Sequence, residues 1–405
     1  MQTTPKAGRL HIAIFGKRNA GKSSLFNTLI NQDISIVTDF AGTTTDPVEK
    51  SMEFLPLGPV VFIDTAGVDD EGHLGLQRIN KTKKVLDRTD IAIIISDYTG
   101  WNEYEVDIYN ELKSREIPVL AIVNKQDIEE ITESKLQSIK QYVKNPLQIS
   151  LINTNDVVNK IKEQLISICP EEFITPPSIL DGLIKAQDTI VVVVPIDKEA
   201  PKGRLILPQV QVIRDILDNK CKAFITQVEE LDQALSELNK KPNLIITDSQ
   251  VFKDVVKIIP DDLPLTSFSI LFARLKGDLQ DFYEGAKHID NLKDGSKILI
   301  CESCSHHQIE DDIARVKIPN LLKSKTKKDL IFDYKSGHDF IDNLQEYDML
   351  IHCGACMTNR KEVLSRIIKC KKANLPITNY GMAIAHCLGI LRRALAPFKI
   401  MDIGE

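Results

Sequence analysis

Short apolar runs alternate with segments of helical periodicity along most of the chain. The first run, residues 11–15 (His-Ile-Ala-Ile-Phe), has the length and apolar content of a buried strand. Further strands are predicted at residues 60–63, 119–123, 189–194, 223–226, 244–247, 297–300, 330–332, 349–352 and 377–378. Helices are predicted at residues 24–30, 210–217, 229–238, 270–286, 339–346, 361–372 and 382–396. This alternation predicts an α/β protein with parallel sheets and crossover helices.

The length and one shift in composition indicate several domains. A chain of 405 residues is long enough to bury two or three separate cores. The segment Thr175-Pro176-Pro177 has the composition of a linker. We therefore expect three domains, at residues 1–172, 180–266 and 267–405. The middle one carries no phosphate loop, catalytic pair or ligand cluster, so we expect it to link the outer domains or to form a homodimer.

Charge and composition narrow the class of protein. The formal net charge is -6 with both signs well mixed, which does not favour a nucleic-acid partner. The basic run at residues 317–328 lacks aromatic residues and is typical of a solvated surface. No apolar stretch approaches the roughly 18–20 residues of a membrane span, and no signal peptide is visible, so we expect a cytoplasmic protein without a membrane partner. Thiols stay reduced in that compartment, so the eight cysteines favour metal or redox chemistry over disulfides.

A glycine-rich segment after the first strand has the pattern of a phosphate-binding loop. Residues 16–23 read G-x-x-x-x-G-K-S between a predicted strand and a predicted helix, the context that this motif requires. Its backbone N–H groups and the helix N-terminus can surround phosphate, Lys22 can reach the outer phosphates, and the Ser23 hydroxyl can bind Mg²⁺. The residues expected to hold nucleotide here are Gly16, Asn19, Ala20, Gly21, Lys22, Ser23 and Ser24.

Three further motifs follow in the order of a GTPase and exclude a chance glycine turn. Asp64, at the end of a predicted strand, is placed to hold Mg²⁺, and the N–H of Gly67 can sense the terminal phosphate. Thr45 lies in a hydroxyl-rich loop suited to closing over phosphate and Mg²⁺. In residues 124–127, Asn124, Lys125 and Asp127 form the base-binding motif, and Asp127 can accept both N1–H and the exocyclic amine of guanine. The residues expected to act in catalysis are Lys22, Thr45, Asp64 and Gly67.

The next guanine-contacting loop is less distinct, because residues 149–151 occupy its place but match it weakly.

Cysteine and histidine residues follow two predicted strands in the last third of the chain. One group is Cys301, Cys304 and His306, and the other is His352, Cys353 and Cys356. Neighbouring parallel strands present such residues at one sheet edge, which would bring Cys304 close to Cys353 and Cys356 with both histidines beside them. Three thiolates and a histidine suit tetrahedral zinc, and three thiolates equally suit a [4Fe-4S] cluster. The spacing alone does not decide between these metals.

The remaining cysteines have a simpler interpretation. Cys301 ends its predicted strand and is ambiguous, since it also forms a second C-x-x-C with Cys304. The other thiols are predicted to be buried and structural. These are Cys169, Cys221, Cys370 and Cys387.

The nucleotide motifs resemble those of the TrmE/Era group of GTPases. Val68 stands where Ras-like proteins carry a catalytic glutamine, so no side chain there can orient water. Asn19 matches the asparagine that helps TrmE-like GTPases bind K⁺. The resemblance therefore implies slow hydrolysis of GTP to GDP and phosphate that K⁺ stimulates.

A GTPase followed by C-x-H and H-C-x-x-C motifs resembles the HydF family, which takes part in maturing [FeFe]-hydrogenase. The resemblance implies that Cys304, Cys353 and Cys356 ligate a [4Fe-4S] cluster and that His306 and His352 lie near its open iron. A histidine, water or a carboxylate such as Glu302 would supply the fourth ligand. The three domains would then be a TrmE/Era-like GTPase domain, an α/β dimerisation domain and a cluster-binding domain.

The same resemblance implies a scaffold or carrier. Radical-SAM maturation enzymes would supply a diiron precursor bearing CO and CN⁻, and this chain, as a homodimer or a tetramer, would hold it and deliver it to the apo-hydrogenase. A zinc-binding GTPase that assists RNA modification or ribosome assembly is the alternative, although the acidic balance does not favour it. An electron-transfer enzyme is a third class, which no second cluster motif or flavin-binding fingerprint supports.

Overall fold

The chain divides into two compact units, residues 1–176 and 177–405. The computed structural model describes residues 8–31, 38–39, 47–55, 57–65, 84–152, 154–174, 177–196, 205–302, 313–337, 340, 343–355 and 358–398. Both units are α/β structures, as predicted. Within the described ranges, none of the helices combines the length and the apolar character needed to cross a bilayer.

The first unit is built on a seven-stranded sheet with the order β2-β3-β4-β1-β5-β6-β7. Its strands are β1 (Leu10–Phe15), β2 (Thr38–Asp39), β3 (Val48–Phe54), β4 (Gly58–Asp64), β5 (Ile91–Ser96), β6 (Val119–Val123) and β7 (Leu147–Gln148). The helices of this unit are α1 (Lys22–Asn31), α2 (Glu103–Ser114), α3 (Glu133–Lys140), α4 (Thr154–Ile168) and α5 (Glu171–Ile174). Strand β3 runs antiparallel to its two neighbours, and the other pairings are parallel.

Both faces of this sheet are covered. Ile12 and Ile14 of β1 belong to one core, whereas Ala13 and Phe15 belong to the core on the opposite face. Strands buried on both sides carry continuous apolar runs rather than alternating ones, which is why the sequence pattern locates them well. The parallel strands β1 and β6 end at the same edge, where the phosphate-loop and base-binding motifs begin.

The second unit contains two four-stranded, fully parallel sheets. The first has the order β11-β10-β8-β9 and the second β13-β12-β14-β15. The strands are β8 (Thr189–Val193), β9 (Lys222–Thr226), β10 (Leu244–Thr247), β11 (Leu265–Ser267), β12 (Lys297–Glu302), β13 (Ile331–Ser336), β14 (Met349–His352) and β15 (Ile377–Asn379). The helices are α6 (Leu207–Asp218), α7 (Leu231–Ser236), α8 (Phe252–Ile258), α9 (Phe268–Lys276), α10 (Leu279–Lys287), α11 (Ile318–Thr326), α12 (Arg360–Lys372), α13 (Tyr380–Cys387) and α14 (Leu391–Leu395).

Helix α9 joins the two sheets of this unit. Its side chains Ile270 and Ala273 pack in the core shared by both sheets. Phe268 and Leu271 pack in the core on the other face of the first sheet. One short helix therefore contributes to both hydrophobic cores of the unit.

Two predicted helices are wrong because each is broken. The predicted helix at residues 270–286 is divided between α9 and α10, since the Asp278 carboxylate accepts the Asp281 N–H at 3.0 Å and starts a new helix. The predicted helix at residues 382–396 is interrupted at Gly389, whose φ of +75° ends α13. Helical periodicity continues across both breaks, so the hydrophobic pattern conceals them.

Two smaller corrections concern the second sheet of this unit. The sequence predicts a helix at residues 339–346, but its last part is a single 3₁₀ turn, Leu344–Glu346. Residues 339, 341 and 342 are outside the described part of the chain. Strand β12 extends past residue 300 to Glu302, so Cys301 lies inside the strand.

Candidate functional site

A pocket of about 490 Å³ opens where β1 and β6 end. It gathers eight of the residues predicted to bind nucleotide, from the phosphate loop, the start of α1 and the base-binding motif. The residues that line it are Asn19, Gly21, Lys22, Ser23, Ser24, Asn124, Lys125, Asp127, Ile128, Leu151 and Ile152. The volume and the mixed lining suit a small polar ligand with one planar part.

The phosphate loop packs against its neighbours with no room for side chains at its two glycines. Gly16 has a φ of +150°, and a Cβ there would collide with the carbonyl oxygen of Ile95 in β5. Gly21 has a φ of +107°, and a Cβ there would collide with the side-chain amide of Asn124. The buried Lys22 donates from Nζ to the carbonyl of Lys17 at 2.5 Å, so its charge stays inside the loop. This backbone has the form of an anion cradle.

Ser23 and Asp64 form the candidate Mg²⁺ site. The Ser23 hydroxyl donates to Oδ2 of Asp64 at 2.8 Å. The second carboxylate oxygen of Asp64, Oδ1, is buried and has no hydrogen-bond partner among the described residues. Burial raises the pKa of Asp64, while the Ser23 hydrogen bond and the charge of Lys22 oppose that rise. A buried oxygen without a donor, beside a serine hydroxyl, fits a hard divalent cation.

The base-binding motif is tied to the phosphate loop and to the segment at residues 149–152. The Asn124 amide donates to the carbonyl of Ala20 at 3.1 Å, and its oxygen accepts the Leu151 N–H at 3.3 Å. The Asp127 carboxylate accepts the Ser150 hydroxyl at 2.5 Å. The weakly matching segment therefore orients the carboxylate that is expected to bind guanine.

Sequence reasoning missed two apolar side chains at this pocket. Ile128 is 66% exposed and Ile152 is 80% exposed, although both line the cavity. Large aliphatic side chains left in solvent beside a ligand pocket are suited to cover the faces of a planar base. Their positions, directly after Asp127 and Leu151, were the signal available in the sequence.

The second candidate site lies at the carboxyl ends of β12 and β14, which are neighbours as predicted. Cys301 is paired with His352 across the two strands, and the Cys353 N–H donates to the Cys301 carbonyl at 2.9 Å. Cys353 is half-buried, and its Sγ accepts the Ala355 N–H at 3.4 Å. Cys304, His306 and Cys356 lie outside the described residues. Among those that are described, no group of three or more His, Cys, Asp and Glu side chains could hold a metal ion.

His352 is 1% exposed and lies beside Cys353 with both ring nitrogens engaged. Nδ1 donates to the Cys353 carbonyl at 2.9 Å, so Nε2 is the acceptor for the Arg366 guanidinium at 2.8 Å. Burial, and then the charge of Arg366, lower the pKa of His352 to about 3. The ring is therefore neutral, and in this arrangement neither nitrogen is available to a metal.

Two further side chains near these strand ends, Glu302 and Cys301, are also poorly placed to bind a metal. Glu302, the candidate fourth ligand, has its carboxylate 3.3 Å from the Arg315 guanidinium. Cys301 is buried, and burial raises the pKa of its thiol to about 12. Both observations favour structural roles for these side chains.

Of the four cysteines predicted to be buried, Cys221 and Cys370 are buried, whereas Cys169 and Cys387 are only partly buried. Burial raises the pKa of Cys370 and of Cys387 to about 12. It also raises the pKa of Cys169 and of Cys221. Raised pKa values keep these thiols protonated in the absence of a metal, which suits structural roles.

Two family models divide the second unit of the chain between them. The Hydrogen maturase F dimerization domain matches residues 179–277, and the Hydrogen maturase F tetramerization domain matches residues 280–397. The chain belongs to the HydF family. A third model, the 50S ribosome-binding GTPase, matches residues 11–125, so the order of domains is that expected for HydF.

Two curated relatives each match less than half of this HydF-family chain. The tRNA modification GTPase MnmE of Prochlorococcus marinus (strain NATL1A) is 35% identical over 165 residues, which are 40% of this chain and 34% of MnmE. GTPase Der of Wolinella succinogenes is 31% identical over 186 residues, 43% of this chain and 39% of Der. The chain thus spans roughly a third of the length of these relatives.

Among solved structures, Era of Aquifex aeolicus bound to GDP and aluminium fluoride is similar with a TM-score of 0.33. Its sequence identity is 17%, and the match covers 61% of this chain and 97% of Era.

The predicted site residues of this HydF-family chain fall into two groups. The structure brings the phosphate-loop residues, Asp64 and the base-binding motif to one sheet edge. Thr45 and Gly67 lie outside the described residues, as do Cys304, Cys356 and His306.

Proposed function

We propose that this HydF-family chain binds and hydrolyses GTP and acts as a carrier in [FeFe]-hydrogenase maturation. The carrier would hold a cluster at the segment after β14 that contains Cys353 and Cys356, called here the cysteine loop. The single observation that supports the proposal is the presence, in one chain, of a pocket lined by the nucleotide motifs and of the two HydF-specific domains. The domain bounds 1–172, 180–266 and 267–405 remain part of this proposal.

In the GTPase step, the residues of this chain bind and orient. The phosphate-loop N–H groups and Lys22 hold the phosphates, while Ser23 and Asp64 would hold Mg²⁺, which neutralises charge that develops on the transferred phosphoryl group. Asn19, the expected K⁺ ligand, has a left-handed φ of +63° in the phosphate loop. Hydrolysis stimulated by K⁺, with Thr45 and Gly67 contributing, belongs to the proposal.

At the cysteine loop, the described residues fit a cluster ligand. A thiolate that accepts a backbone N–H, as Cys353 does from Ala355, is stabilised in the way that iron–sulfur sites use. Cys304 and Cys356 are the other proposed ligands, with His306 near the open iron, whereas His352 orients Cys353 instead of binding metal. A bound [4Fe-4S] cluster with three thiolates would offer one iron to a ligand of the diiron cargo.

Self-association is supported by the two family models, which describe a dimerization and a tetramerization domain. We infer a homodimer that can assemble into a tetramer. Apo-hydrogenase and radical-SAM maturation enzymes are the proposed partners, and the cytoplasm is the proposed compartment.

Asp127→Asn should weaken GTP binding by about 10- to 100-fold, because one charged acceptor of two guanine hydrogen bonds becomes an amide. Xanthine nucleotides should bind this variant better than the wild type, since the amide N–H can donate to the oxygen that replaces the guanine amine. Titration with fluorescent GTP and XTP analogues measures both effects. Asp156→Asn, an exposed change on α4, should alter neither affinity. Unchanged GTP affinity in Asp127→Asn would refute guanine recognition by this carboxylate.

Cys353→Ala should remove the cluster, whereas Cys301→Ala should keep it, because the Cys301 thiol is buried inside β12. Anaerobic iron, sulfide and zinc analysis with EPR of the reduced protein tests this pair. We expect about four irons and four sulfides per wild-type chain after reconstitution. One zinc with no iron–sulfur signal in the wild type would instead support the zinc-binding GTPase.

A further inference from the structure

Lys276 is a buried lysine at the last turn of α9, and its ammonium is held by the cysteine loop. It is 7% exposed. Its Nζ donates to the carbonyl of Ala355 at 2.6 Å and to the carbonyl of Thr358 at 2.8 Å. The ammonium also lies 5.5 Å from the centre of the Phe272 ring on the preceding turn. A lysine is rarely buried to this extent, so the contacts must offset a large desolvation cost.

The loop is shaped to receive this ammonium. Ala355 has a left-handed φ of +54°, a strained backbone conformation that is unusual for alanine. The Ala355 carbonyl accepts the Thr358 N–H at 3.3 Å as well as the Lys276 ammonium. The same Ala355 residue donates its N–H to the Cys353 sulfur at 3.4 Å. Lys276 thus contacts the carbonyl of the residue whose N–H donates to the Cys353 sulfur.

The lysine comes from a different part of the unit than the cysteines. Helix α9 follows β11 of the first sheet, within the region matched by the dimerization-domain model, whereas Cys353 follows β14 of the second sheet. Ser269, in the first turn of α9, accepts the Gly381 N–H at 3.2 Å and the Asn379 amide at 3.1 Å. Helix α9 therefore contacts the segment that follows β14 and the end of β15.

We propose that Lys276 is a positioning residue for the cysteine loop, fixing the carbonyls of Ala355 and Thr358 and placing a positive charge close to the proposed cluster ligand Cys353. The inference rests on the proposed function, because it assumes that the loop holds a cluster. Hydrogen bonds and local charge around cluster sulfurs set reduction potentials and metal affinity. A nearby cation favours the more negative, reduced cluster, so its loss should make the reduction potential more negative.

The test compares Lys276→Met, Lys276→Gln and Lys276→Arg in the full-length chain after anaerobic reconstitution. Iron content under a chelator and the midpoint potential from EPR-monitored redox titration are the two readouts. Lys276→Met should lose iron about 10- to 100-fold more readily than the wild type. Lys276→Gln, which keeps a donor for the loop but no charge, should fold, retain iron better than the methionine variant and show a more negative potential.

Lys276→Arg should restore the potential towards the wild-type value, which a purely structural role would not require. Lys287→Met, on the exposed side of α10, is the matched control and should change neither readout. If Lys276→Met does not fold, Lys276→Gln and Lys276→Arg decide alone. Wild-type iron retention and potential in Lys276→Gln would overturn the inference. Absence of any cluster in the wild type would instead overturn the proposed function.

Discussion

Gly16→Ala is expected to weaken GTP binding by about 100-fold or more, because the added methyl group should displace the phosphate loop by about 1 Å. The added methyl group would meet the backbone carbonyl of Ile95, which belongs to a central strand and cannot move aside. The positive φ of Gly16 adds strain, so the first unit should also lose about 2–6 kcal/mol of unfolding free energy. Nucleotide titration and denaturant unfolding measure the two effects.

Gly58→Ala is the control that introduces backbone strain without a steric collision like that of Gly16→Ala with Ile95. Gly58 also has a positive φ, of +81°, but a Cβ there meets nothing within 4 Å. It should therefore cost only the strain, about 1–3 kcal/mol, and leave GTP affinity unchanged. Equal effects of the two substitutions on GTP binding would show that the contact between Gly16 and Ile95 is unimportant.

Arg366→Met is expected to destabilise the second unit by about 3–5 kcal/mol, because it leaves the Glu362 carboxylate without its buried cation. The Arg366 guanidinium donates to Glu362 at 2.6 Å, to the Gly337 carbonyl at 2.8 Å and to His352 at 2.8 Å. Both side chains of the ion pair are less than 10% exposed. Chemical denaturation followed by circular dichroism checks the stability, and loss of the donor to His352 should also lower cluster retention.

Lys371→Met provides the comparison on the same helix. Lys371 forms an ion pair with Asp281 at 2.8 Å, but its side chain is 59% exposed. Removing this surface pair should cost about 0–1 kcal/mol. A loss in Arg366→Met no larger than that in Lys371→Met would mean that burial does not govern the strength of these pairs.

The sequence locates elements and motifs best where one physical requirement dominates. Strand β1 is found because both its faces are buried, so Ile12 and Ala13 are both apolar. The nucleotide pocket is found because phosphate binding needs glycine at positions such as Gly16 and Gly21, and no other residue fits. Spacing and order then place the base-binding motif at the same sheet edge.

The sequence fails where a role depends on a partner distant along the chain. Lys276 ends an amphipathic helix and has the sequence pattern of a surface lysine. It is nevertheless buried against Ala355 and Thr358, which lie 79 and 82 positions later in the chain. Glu362 and Arg366 have the spacing of an exposed helix pair, and only packing makes them internal. His352 is a plausible metal ligand until Arg366 is seen to occupy its Nε2.

The position of helix α9 couples the stabilities of the two sheets in the second unit. Because it supplies side chains to the cores on both faces of the first sheet, and one of those cores is shared with the second sheet, neither sheet can open without exposing it. The two sheets therefore share one opening free energy, and their slowest-exchanging amides should be protected to the same extent.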